Sequence, residues 1–281
     1  MTSEVRLFVA DVDDTLFSSS FRFPGKITVQ ALNEMQQRGI LTGVASGRPL
    51  WQGLYTHWKE WGLEKQFDFL IGMNGGELWT SETDEVQTFF PLEPEMIKEI
   101  IEWLQQFENV NPFVYRDEAE VCLMLDDEML ASSKRHGTEI HVVEELSEFW
   151  QKSTGKILVR CANEETALKV EKAGREYFAG RQIACFRTNP VLVEIQDARV
   201  SKSTGLSAYC SMKKISPEEV IAFGDAENDL EMLRSAGRAV ALKNAMPSVK
   251  AAADEVTADD AGDDGVGKYL YQTVLKEKAM L

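Results

Sequence analysis

Short apolar runs alternate with segments of helical spacing along the first part of the chain. Residues 5–10 (VRLFVA) read as a strand, and residues 26–38 put Ile27, Ala31, Leu32 and Met35 on one helical face before Gly39 ends the run. A second strand is expected over 40–45, a helix over 49–61 and a third strand over 67–73. Such alternation implies a parallel sheet, because parallel neighbours need crossover connections and helices usually supply them. The rhythm resumes near the end of the chain. Helices are expected over 202–212 and 217–220, a strand over 220–223, a helix over 228–235 and a strand over 239–242. Two further helices follow, around 247–253 and after Gly265. The acid-rich stretch 254–264 reads as a surface loop.

The middle of the chain has a different texture. Short strands are expected over 86–91, 113–115, 121–125, 157–161, 183–187 and 191–195, with helices over 95–107 and 164–179. Strands that neighbour helices this irregularly suggest an α+β unit. The expected organisation is an α/β protein. Its doubly wound, parallel-sheet (Rossmann-like) core comprises residues 1–82 and 191–281, and an α+β cap of residues 83–190 is inserted between the halves.

Composition narrows the class of function. The 281 residues include 30 Lys+Arg and 46 Asp+Glu, a net charge of −16, with 44% hydrophobic and 27% charged residues. That balance suits a folded globular protein rather than a disordered one. The acid excess argues against binding nucleic acid through its phosphates, and equally against an anionic membrane surface. No apolar run approaches the ~20 residues of a membrane span. Asp11 and Asp13 interrupt the apolar segment that a signal peptide would need. Cys122, Cys161, Cys185 and Cys210 are widely spaced without a CxxC pair, which suits reduced thiols in a cytoplasmic protein.

Ligands of open α/β sheets bind beyond the carboxyl ends of the strands. Asp11, Ser46, Asn74 and Asp225 each stand directly after an expected core strand, so a parallel sheet would gather them on one rim. The segment Asp11-Val12-Asp13-Asp14-Thr15 crowds three carboxylates, which is unfavourable unless a cation or proton joins them. Gly224-Asp225-Ala226-Glu227-Asn228-Asp229 is a second acidic turn opening a helix. Hard oxygen ligands from two turns suit magnesium, whereas N-caps and solvated turns are the plainer account. A calcium loop is ruled out, because Leu16 and Leu230 stand where such a loop needs glycine. Lys202, in VSKSTGL, is an ordinary surface lysine or a fixed ammonium for phosphate. Ser46, in ASGRP, is an N-cap or a hydroxyl donor to phosphate. Asn74-Gly75 is expected as a turn device rather than a ligand. His57, His136 and His141 match no metal or triad spacing.

The motifs DVDDTL, ASGR, VSKSTGL and GDAENDLEML, in that order, resemble motifs I to IV of the haloacid dehalogenase superfamily of phosphohydrolases. The insert between the second and third motifs resembles the Cof-like subfamily with a type IIB cap. This resemblance implies a magnesium-dependent phosphatase acting on small phosphorylated metabolites, such as sugar phosphates, through an aspartyl-phosphate. It implies Asp11 as nucleophile and magnesium ligand, and Asp13 as general acid/base with a metal-ligating backbone carbonyl. Ser46, Gly47 and Lys202 would bind phosphate. Asp225 would supply the other metal carboxylate, with Asn228 near the substrate phosphate and Asp229 supporting the site. Asp14 stands where a glycine is usual, and Ser46 where threonine is common. A phosphosugar mutase and a catalytically inactive metabolite sensor are the alternatives. Arg160 and Arg187 in the cap are candidates for gripping a second anion, and the oligomeric state is left open.

Overall fold

The computed structural model describes residues 4–276 except 19, 22, 56, 117 and 118. The chain divides into two compact units, residues 1–87 with 201–281, and residues 88–200.

In the first unit, β1 (Leu7–Ala10) is paired in parallel on one side with β2 (Leu41–Ala45), which in turn pairs with β3 (Phe69–Gly72). An antiparallel β4 (Glu77–Thr80) and then β5 (Val86–Thr88) extend the sheet on that side. The helices between these strands are α1 (Lys26–Gln37) and the short α2 (His57–Glu60). The expected helix over 49–61 is realised in pieces, a π-helical turn at Trp51–Tyr55 and then α2; residue 56 lies outside the described residues. Gly53 in the middle of that segment weakens a continuous helix.

The second unit is built on a six-stranded sheet. Its strands are β6 (Val110–Arg116), β7 (Ala119–Cys122), β8 (Glu139–Val142), β9 (Lys156–Cys161), β10 (Ile183–Asn189) and β11 (Leu192–Asp197), ordered β10-β11-β9-β6-β7-β8. Helices α3 (Pro94–Leu104) and α5 (Glu164–Tyr177) bury Ile97, Ile101 and Val170 with Val114, Ile157, Val159 and Ile195 from one sheet face. The opposite face is covered in part by α4 (Asp127–His136), whose Met129 joins Phe113, Cys122 and Leu158. The sequence pattern missed α4 and β8. Among its first residues α4 has only Met129 and Leu130 as apolar positions, so no stripe reveals it. What marks it is capping: the Asp126 side chain accepts from the Met129 N–H at 2.7 Å, and Gly137 ends it at φ 67°.

The second junction between the units falls at residues 200–201, ten residues later than expected. The reason is register. β11 pairs antiparallel with both β10 and β9, so it is interior to the cap sheet and cannot begin the core.

The chain then returns to the first unit. Helix α6 (Lys202–Lys213) precedes β12 (Val220–Gly224), and α7 (Leu230–Arg234) precedes β13 (Arg238–Ala241). The segment expected to be helical over 217–220 is a single 3₁₀ turn, Pro217–Glu219. Helix α8 (Pro247–Ala252), the short β14 (Glu255–Val256) and α9 (Gly265–Thr273) complete the unit. The sheet order is β14-β13-β12-β1-β2-β3-β4-β5, and β12 pairs in parallel with β1 and β13. All four residues of β1 and all five of β12 are buried, as strands covered on both faces must be. Phe223 packs on Tyr269 of α9 on one face, and Phe69 stacks on Tyr209 of α6 on the other at 4.1 Å. This is the doubly wound arrangement that the alternation implied.

Candidate active site

The parallel register decides what meets what. Ala10 is level with Val44 of β2 and with Phe223 of β12, so the next residues, Asp11, Ala45-Ser46 and Gly224-Asp225, emerge together at the carboxyl rim. Asp11 N–H donates to the Phe223 carbonyl at 3.0 Å, and Ser46 N–H to the Ile71 carbonyl at 2.8 Å, which fixes both residues to neighbouring strands.

At the centre of the site is Lys202, fully buried at the start of α6. Its ammonium donates to Asp11 Oδ1 and to Asp229 Oδ1, the latter at 2.5 Å. The sequence left this lysine between a surface role and a phosphate role, and its burial removes the first. Asp229 is itself fully buried, and its second oxygen accepts from the backbone N–H groups of Asp225 and Ala226 at 2.9 and 3.0 Å. It thus fixes the acidic turn and holds the lysine. Gly224 permits this: a Cβ there would lie 2.5 Å from the Cβ of Asp229. Asp225 accepts from Thr15 Oγ1 at 2.5 Å, which joins the first motif to the fourth.

The electrostatics follow from the charge count. Asp11, Asp225 and Asp229 bring three carboxylates within 4.8 Å of one another, facing one ammonium. Burial pushes the Asp11 carboxyl well above the ordinary carboxylate range, and Asp229 and Asp225 push it further, against the opposing pull of Lys202. Burial likewise raises Asp225 to about 6, with the Thr15 hydrogen bond acting in the other direction. Burial alone would lower the Lys202 ammonium, but the two carboxylates it touches outweigh this and hold it charged. The excess of negative charge and the hard oxygen donors fit a divalent cation such as magnesium.

Asp13 lies apart from this cluster. Its carboxylate accepts from Arg48 Nε at 2.9 Å and from Arg48 Nη2. Arg48 is therefore a site residue that was present in the ASGR motif but not singled out, and its partner is invisible in sequence because 35 residues separate them. The Ser46 hydroxyl accepts from the Arg48 N–H at 3.2 Å. Gly47, between them, belongs to the same turn. Asn228 is exposed, and its amide donates to Asn74 Oδ1 at 3.5 Å. Asn74-Gly75 does form the turn between β3 and β4, as expected, yet its side chain also meets the fourth motif.

Asp14 has φ 58°, and its carbonyl accepts from Asn244 Nδ2 at 2.7 Å. A left-handed backbone here explains why glycine is usual at this point of the motif, and aspartate is among the side chains that tolerate it. In the cap, Arg187 is tied to Glu171 and Glu164, whereas Arg160 lies over Phe113 with Glu128 3.6 Å away. His57 and His141 pair with Glu60 and Glu148.

A sequence profile of haloacid dehalogenase-like hydrolases matches residues 8–270, so the chain belongs to that family. Within it the chain is a phosphatase of the Cof-like group, a hydrolase of phosphate esters. It is 24% identical to the 5-amino-6-(5-phospho-D-ribitylamino)uracil phosphatase of Bacillus subtilis, over 97% of this chain and 98% of that one. It is 26% identical to the HMP-PP phosphatase of Serratia proteamaculans, over 87% and 86% of the two chains. A haloacid dehalogenase-like hydrolase from Bacteroides thetaiotaomicron has a similar structure, with a TM-score of 0.84 and 26% identity over 96% of this chain and 99% of that one. No helix among the described residues is long and apolar enough to cross a membrane.

Proposed function

We propose that this chain is a magnesium-dependent cytoplasmic phosphatase of small phosphorylated metabolites, sugar phosphates or similar, working through an aspartyl-phosphate. The observation that carries the reading is the buried Lys202 held between Asp11 and Asp229, with Asp225 beside them. A fully buried ammonium clamping a carboxylate is not a surface ion pair. It is a fixed positive charge beside a nucleophile that must attack an anion.

Asp11, Asp225 and the Asp13 backbone carbonyl would hold the magnesium, which when bound supplies positive charge to offset repulsion between carboxylate and phosphate. Lys202 fixes Asp11 through Oδ1, leaving Oδ2 to form a bond to phosphorus as the bond to the leaving oxygen breaks. Asp13 gives its proton to that leaving alkoxide. It then takes one from a water whose oxygen attacks the same phosphorus, which frees phosphate and restores the Asp11 carboxylate. Ser46, Gly47, Lys202 and Asn228 would bind the phosphate oxygens, and residues 88–200 would set substrate selectivity. The relatives named above act on phosphorylated metabolites, which supports the substrate class. The four free cysteines, three of them buried, are in keeping with a reducing compartment.

The test is phosphate release from an aryl phosphate and from a panel of phosphorylated metabolites, with and without magnesium, in wild type and Asp11→Asn. Magnesium-dependent release lost in the variant is expected. Retained turnover in Asp11→Asn, within about tenfold of wild type or ~1.4 kcal/mol, would overturn the assignment of the nucleophile. Isomer formation without phosphate release would instead indicate a mutase.

A further inference from the structure

The turn after β3 has three consecutive residues at positive φ: Met73 at 51°, Asn74 at 57° and Gly75 at 106°. It touches three of the four motifs. Met73 N–H donates to the Arg48 carbonyl at 2.9 Å, and Asn74 N–H to the Ser46 carbonyl at 3.0 Å. Gly75 lies so close to the start of α6 that a Cβ would sit 1.7 Å from the Ser201 carbonyl oxygen and 2.9 Å from the Lys202 nitrogen. Asn74 Oδ1 accepts from Asn228 Nδ2 at 3.5 Å. The backbone demands of a tight turn account for the positive φ values and for Gly75. They do not account for a side-chain amide, 4% exposed, aimed at the fourth motif. Glycine at position 74 would make the turn as well.

We infer that Asn74 is a positioning residue that orients the Asn228 amide toward the substrate phosphate, an inference that rests on the phosphatase reading above. Asn228 stands exposed on the single 3₁₀ turn Glu227–Asp229, where nothing in the backbone fixes its side-chain rotamer. An amide nitrogen carries two hydrogens. Directing one at the buried Asn74 oxygen sets the plane of the amide and presents the other outward at the rim. The backbone of the same turn is bonded to Ser46 and abuts Lys202, so the three phosphate-binding motifs are referenced to one rigid element.

The experiment is a double-mutant cycle on an aryl phosphate with magnesium present: wild type, Asn74→Gly, Asn228→Ala and the double variant, with thermal melting of each. Asn74→Gly keeps the left-handed backbone while removing the amide. It is expected to melt near wild type, to raise KM by about five- to tenfold with kcat changed less than about twofold, and to have no further effect once Asn228 is Ala. Asn74→Asp, which tolerates the same backbone and keeps an acceptor for the Asn228 amide, is the second variant should the glycine variant fail to fold, and its KM is expected to stay within about twofold of wild type. Wild-type KM in Asn74→Gly, equal effects in both backgrounds, or a KM raised about fivefold or more in Asn74→Asp would each overturn this inference alone. Absence of phosphate release from the wild-type enzyme would overturn the phosphatase reading and this inference with it.

Discussion

Arg48 grips Asp13 through both carboxylate oxygens, joining the second motif to the first across 35 residues. The paired contact through two parallel N–H donors fixes the orientation of the Asp13 carboxyl group. If Asp13 is the acid/base group proposed above, Arg48 acts on catalysis by positioning it. Arg48→Ala is expected to lower kcat/KM by at least about tenfold, ~1.4 kcal/mol. The loss should be larger for an alkyl phosphate than for an aryl phosphate, because an aryl leaving group departs without needing a proton. Arg48→Lys should not restore activity, since an ammonium cannot make the paired contact. Equal losses on alkyl and aryl substrates would mean that Arg48 acts elsewhere.

This pairing also shows where sequence reading stops. The parallel rim could be foreseen, because Asp11, Ser46 and Asp225 each follow a strand whose apolar run is unmistakable, and register does the rest. The placement of Lys202 was open in sequence, since a lysine opening a helix is usually solvated; its burial against Asp11 and Asp229 removes the surface reading. Contacts such as Arg48 with Asp13, or Asn74 with Asn228, depend on loop geometry that no periodicity encodes. The cap was read less well for a similar reason. Its helix α4 is announced by the cap Asp126 and by Gly137 rather than by an apolar stripe, and β11 carries the same apolar alternation whichever sheet it joins.

The crowded carboxylates should make the metal-free protein more stable in mild acid. Burial raises Asp225 to about 6, so between an ordinary carboxylate value near 4 and about 6 the folded state binds more protons than the unfolded chain. Its contribution to stability therefore falls as pH rises through that window. The difference at pH 7 is on the order of 2–3 kcal/mol. Asp225→Asn should raise the melting temperature of the metal-free protein at pH 7 and flatten its dependence between pH 4 and 6. Melting curves after chelation, across that range, check both. An unchanged slope would remove Asp225 from the account.

Magnesium binding can be read without turnover. A ligand that binds only the folded state stabilises it by RT ln(1 + [L]/Kd), about 2.7 kcal/mol at one hundred times Kd. Wild type should therefore melt higher as magnesium is added, whereas Asp11→Asn and Asp225→Asn should respond weakly, each having lost an oxygen donor of the cluster. Calcium should also stabilise the protein but fail to support turnover, because it takes more oxygen ligands at longer distances and would draw Asp11 out of line. Equal magnesium shifts in all three proteins would place the cation somewhere else.

Asp14 allows the backbone of the first motif to be separated from its charge. Its φ of 58° lies in the left-handed region, where a side chain costs roughly 1 kcal/mol and glycine costs little. Its negative charge also adds to the repulsion felt by Asp225. Asn244 bonds the Asp14 carbonyl rather than its side chain, so that link survives substitution. Asp14→Gly is thus expected to melt at or above the wild-type temperature and to keep phosphatase activity within about threefold, well under 1.4 kcal/mol. Asp14→Ala removes the same charge but keeps the Cβ, and should be less stable than Asp14→Gly by about 1 kcal/mol. The comparison of the two variants isolates conformation from charge: equal stability would mean that the turn carries no left-handed penalty, and a large loss of activity in both would give the Asp14 carboxylate a role in the reaction.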